Sequence, residues 1–124
     1  MRALFAIALV FSLATFGVTQ AQTGNDGTYT GNISVKTDNH MGRQPCGFLD
    51  TSRTLTIQGG KFAFIFNPQT STIIINGSVD GSGQLSGSGT SPAGGVSMKG
   101  TIQAGNLTAD ITTAYCVFTV QLKK

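Results

Sequence analysis

The chain has 124 residues, eight Lys and Arg against five Asp, no Glu, and a net charge of +3. That length suits one small domain rather than several. The cations are scattered instead of forming a basic stripe with interleaved aromatics, which excludes a nucleic-acid partner.

Residues 1–21 read as a signal peptide. Arg2 is the charged start, residues 3–16 are an apolar run, and Thr19-Gln20-Ala21 offers a small-residue cleavage site before Gln22. The run is short for a membrane span, although a retained N-terminal anchor is the alternative. No Cys follows the cleavage site to carry a lipid. Residues 22–124 are then expected to form a single disulfide-bonded domain, periplasmic or secreted.

From Gly27 to Lys36, Tyr29, Gly31, Ile33 and Val35 alternate with polar residues, the pattern of a half-buried strand. Residues 37–52 (TDNHMGRQPCGFLDTS) follow without periodicity and hold the sole His, His40. Residues 53–58 and 61–67 predict a full hairpin around Gly59-Gly60, with Phe62, Phe64 and Phe66 pointing into the core. Residues 67–71 are a turn, and 72–79 a strand with Ile73 and Ile75 inward. Ala63, Ile65 and Ile74 then fall on the outer face, where cover by the 37–52 loop is expected and a dimer interface is the alternative.

The run Thr101-Ile102-Gln103-Ala104-Gly105-Asn106-Leu107-Thr108-Ala109 echoes residues 56–64, and residues 77–85 give a third version with an extra turn residue. Each is strand, Gly-containing turn, strand. Residues 84–90 (QLSGSGT) place Leu85, Gly87 and Gly89 on one face, where glycine marks a close approach of backbones. Val96, Met98, Gly100 and Ile102 make the next inward row, then Leu107, Ala109 and Ile111. After a break at 112–114, Cys116, Phe118, Val120 and Leu122 form the last strand.

The result is an all-β chain of about eight short antiparallel strands. A small up-and-down β-barrel closed by pairing the first strand with the last is the expected architecture. A two-sheet β-sandwich is the alternative. Outward positions are mostly Thr, Ser, Asn, Gln and Lys, which does not suit a membrane-spanning barrel. A monomer with a filled interior is expected.

Cys46 and Cys116 are the two cysteines, and an exported chain should join them in one disulfide. The chain-entropy account gives such a bond about 4 kcal/mol.

The segment Asp26-Gly27-Thr28-Tyr29-Thr30-Gly31, the Cys pair, the repeated Gly hairpins and the closing Tyr115-Cys116 with a Lys end carry a resemblance. The chain resembles a group of uncharacterised small secreted alphaproteobacterial proteins with a DG-x-Y-x-G start. The resemblance implies export and one disulfide-bonded β domain. It brings no activity and no catalytic residue.

No nucleophile elbow, P-loop or dinucleotide fingerprint is present, so no enzyme is expected, no catalytic residue is assigned, and neither a cofactor nor a metal site is expected. His40 beside Asp38 and Asn39 is the one cluster with base or ligand chemistry. Asn32-Ile33-Ser34, Asn76-Gly77-Ser78 and Asn106-Leu107-Thr108 match an N-glycosylation pattern that strands rich in Asn, Ser and Thr produce by chance. The expected function is a protein-interaction or envelope accessory module. The alternatives are a small-ligand-binding barrel or a periplasmic protease inhibitor. The binding candidates are the loop residues His40, Met41, Arg43 and Phe48, because loops longer than about twelve residues are typically functional or disordered.

Overall fold

Alternation of apolar and polar side chains sets nearly every strand in the computed structural model, which describes residues 24–43, 45–68 and 73–124. The expected signal peptide, residues 69–71 of the expected turn and residue 72 at the start of the strand expected after it lie outside these. The strands are β1 (Gly27–Asp38), β2 (Ser52–Ile57), β3 (Lys61–Ile65), β4 (Ile74–Val79), β5 (Gln84–Ser91), β6 (Gly94–Gln103), β7 (Asn106–Thr112) and β8 (Cys116–Lys123). All pairs are antiparallel, in the order β2-β1-β8-β7-β6-β5-β4-β3. This is a nearly closed up-and-down barrel. Its first strand pairs with its last over Thr30↔Lys123 to Asp38↔Cys116, as the meander predicts.

The interior is packed by side chains from every strand. Tyr29, Ile33, Leu55, Ile57, Phe64, Ile75, Val79, Met98, Leu107, Ile111 and Val120 are each at most 1 % exposed. Phe62 lies against the inward glycines of β4 and β5. A Cβ on Gly77 would sit 2.4 Å from the Phe62 ring, so a side chain there would displace the ring or the strand. Small residues on one wall make room for aromatic ones on the next.

The barrel opens where a hairpin ladder is predicted. Gly59 and Gly60 have φ of 59° and 72°, the conformation of a two-residue hairpin turn. Gln58 and Lys61 exchange both backbone hydrogen bonds. Beyond that bridge β2 pairs only with β1 and β3 only with β4. The two inward rows, Arg53, Leu55 and Ile57 against Phe62, Phe64 and Phe66, are uniformly bulky. They meet as the two ends of the curled sheet rather than as a ladder.

The two ends of the barrel differ. At the tight-turn end, the Asp26 carboxylate accepts from the N–H groups of Gly59 (2.7 Å) and Gly60 (3.0 Å). Backbone bonds Val79 N–H to Gly60 O, Ile102 N–H to Gly83 O and Lys124 N–H to Gly105 O tie turns and strand ends together. The opposite end carries the 39–51 loop, the connection after Phe66 and the turn before Cys116.

Two expectations need correction. Val35 keeps the inward phase, opposite buried Phe118, but is 41 % exposed, and the register shift follows it, between Val35 and Thr37. The 39–51 loop leaves Ile65 and Ile74 uncovered at 41 % and 42 % exposure, because its disulfide draws it over the barrel end instead.

Candidate functional site

The disulfide end gathers the features with chemical potential. Cys46 and Cys116 are bonded, with Cα atoms 5.9 Å apart across 70 residues of chain. Such a bond suggests an oxidising compartment. It pins the middle of the 39–51 loop to the start of β8. The next anchor is Phe48, whose ring lies 4.9 Å from that of Phe118, itself 5.9 Å from Phe66.

Asp38 organises the first half of the loop. Its carboxylate accepts from His40 Nδ1 (2.5 Å) and from the His40 backbone N–H (3.1 Å). The His40 side chain is the main cause that holds the Asp38 carboxyl below the ordinary range. Asp38 Oδ1 also lies 3.2 Å from Cys46 Sγ, a contact and not a hydrogen bond, since a disulfide sulphur carries no proton. Arg43 stacks on Tyr115, its guanidinium carbon 4.1 Å from the ring centroid.

The loop candidates thus separate into two kinds. His40, Arg43 and Phe48 are engaged within the chain and give the loop its shape. Met41 projects: it is 80 % exposed and has a φ of 48°, a conformation that non-glycine residues rarely adopt. Leu49 also projects, at 95 % exposure. Leu49 was not among the sequence candidates, because a loop without periodicity gives no sign of which apolar residues face out.

Between the loop and the barrel rim runs a groove of about 410 Å³, lined by the disulfide, Phe48, Phe66, Ile73, Val96 and Phe118. A recess of about 240 Å³ adjoins it, sharing Phe48 and Asn67 and adding Leu49, Asp50, Arg53 and Pro68. Arg53 is the buried charge of the site, 4 % exposed. Its Nε donates to Phe66 O, and its Nη1 to Asp50 O and Ser52 O, each at 2.7 Å. Its guanidinium carbon lies 4.7 Å from the Phe48 ring centroid. Burial lowers its pKa from the ordinary value, with Asp50 opposing that shift.

The sequence offers Arg43 and Arg53 as cations that could hold an anionic ligand, with a solvated side chain as the usual outcome, but the structure buries Arg53, and a signal for that burial was present. Arg53 stands in phase with Leu55 and Ile57, so a cation occupies the inward row of a strand.

Among the described residues no three His, Cys, Asp or Glu side chains are placed to hold a metal ion. No helix among them is long and apolar enough to cross a membrane. No protein-family model matches the chain, and neither a curated protein nor a solved structure matches it.

Proposed function

We propose that the chain is an exported, non-enzymatic binding module that recognises a protein partner through the disulfide end of its barrel. One observation carries this reading: two large apolar side chains, Met41 and Leu49, stand almost fully exposed on a loop that is fixed between them. A free loop loses conformational entropy when a partner orders it. Here Cys46–Cys116 and the Phe48–Phe118 contact have already ordered it, so more of the contact energy remains for affinity. The filled interior supports the same reading, since the strands serve as scaffold rather than as container. The disulfide and the signal-like N-terminus together favour the periplasm or the exterior.

The test is the double variant Met41→Ser, Leu49→Ser. Both side chains are solvated, so the melting temperature should stay within a few degrees of the parent. The partner captured by the parent protein from its native envelope should be lost. Unaltered capture would overturn the proposal.

A further inference from the structure

We infer that the recess beside Phe48 and the groove beyond it form a binding site for a small amphipathic carboxylate, with the carboxylate held by Arg53 and the apolar body lying along the groove. The starting point is an incomplete set of partners around a buried cation. Three N–H groups of Arg53 are satisfied by carbonyl oxygens, but Nη2 is buried and has no hydrogen-bond partner among the described residues. The two ion pairs formed among the described residues, Lys36–Asp110 and His40–Asp38, do not involve it. Asp50, the nearest carboxylate in sequence, turns Oδ1 to the Ser52 N–H at 2.9 Å. A guanidinium is built to hold a planar anion with paired N–H groups, and here one of its nitrogens is left without an acceptor.

The surroundings select the anion. Among the described residues Arg53 is the single cation lining the recess, and Asp50 lines it too. A dianionic phosphate would meet one positive charge and a neighbouring negative one, whereas a monocarboxylate matches the single positive charge. The adjoining groove is lined by Phe48, Phe66, Ile73, Val96, Phe118 and the disulfide, walls that suit an alkyl or aryl body. Nη2 is buried, so the head group reaches it by displacing residues that line the recess. Leu49 and Pro68 line the recess beside Arg53, and both are exposed, so they form its outer rim.

This site adjoins the partner surface proposed above and shares Leu49 with it, but its recognising group is Arg53, which that surface does not use. The measurement is a titration of the isotopically labelled, disulfide-bonded protein, following the Arg53 Nε–Hε and Phe48 ring resonances. Octanoate should give saturable shifts at both, octanol should bind about tenfold more weakly or worse, and inorganic phosphate should leave the Arg53 signal unmoved. Arg53 also closes the barrel, so the variant of choice is Pro68→Asp, which places a negative charge on an exposed part of the rim. It should weaken octanoate by about fivefold or more while leaving octanol unchanged. Absence of a saturable octanoate shift, equal affinity for octanol, a matching phosphate response, or indifference to Pro68→Asp would each overturn the inference.

Discussion

Arg53 Nε donates to the carbonyl oxygen of Phe66 at 2.7 Å across the β2–β3 seam. Continued from the Gln58↔Lys61 bridge, a ladder would set those two residues directly opposite each other. A side chain therefore closes the far end of the seam, where backbone pairing is missing. Arg53→Ala should expose the seam and leave the Phe66, Asp50 and Ser52 carbonyls without this donor. The expected loss is roughly 2–4 kcal/mol, read from the urea midpoint. Arg53→Lys should recover little, since one ammonium cannot span all three acceptors. Amides of β2 and β3 should also exchange faster than those of the β6–β7 hairpin. A near-neutral Arg53→Ala would refute this account of closure.

The β6–β7 turn is strained in a way that can be relieved. Ala104 has a φ of 50°, followed by Gly105 at 77°, so a residue with a Cβ occupies the first left-handed position of the turn. Asn tolerates that conformation better and makes the preferred Asn-Gly pair. Ala104→Asn should stabilise the protein by about 1 kcal/mol, raising the melting temperature by several degrees. A decrease would mean that the turn differs from the one described.

Phe64 is 1 % exposed at the centre of the inward β3 row, whereas Lys61 is exposed beside the turn. Phe64→Ala should cost about 3–5 kcal/mol by opening a cavity. Lys61→Ala should fall within about 0.5 kcal/mol of the parent. Equal losses for the two would place the strand out of register by one residue.

The strands were legible because period-two alternation survives even in Gly-rich β5, where Leu85 is buried and Gly87 and Gly89 keep the same phase. The disulfide followed from two cysteines in a chain expected to be exported. The seam was not legible, because residues 56–64 carry the same hairpin chemistry as residues 101–109. Turn chemistry sets how two strands begin, and the curvature of the whole sheet decides whether they go on pairing. Arg53 in an apolar phase was the one local sign of the difference. At the site, Met41 could be read from its loop, but the burial of Phe48 and the projection of Leu49 depend on where Phe118 sits in the fold.

Acid should destabilise the protein through three carboxylates. Asp38, Asp80 and Asp110 are held below the ordinary range, chiefly by hydrogen bonds from the His40 side chain, the Ser82 hydroxyl and the Lys36 ammonium respectively. A carboxyl with a depressed folded-state pKa stabilises the fold above its unfolded value and loses that contribution as pH falls through the folded value. The melting temperature should therefore drop below about pH 4, where unfolded Asp begins to bind protons. Asp80→Asn should flatten part of that drop. A melting temperature that rises on acidification, or an unchanged slope in Asp80→Asn, would contradict the assignment.

The central claim is that the disulfide end is the recognition face. Photo-crosslinking residues placed one at a time at positions 41, 49 and 108 test it most directly, because Thr108 is an exposed residue on the side wall of the same barrel. In the native envelope, positions 41 and 49 should give one and the same covalent adduct, and position 108 should give none. An adduct from position 108 with nothing from 41 and 49 would place recognition on the barrel wall and contradict the account.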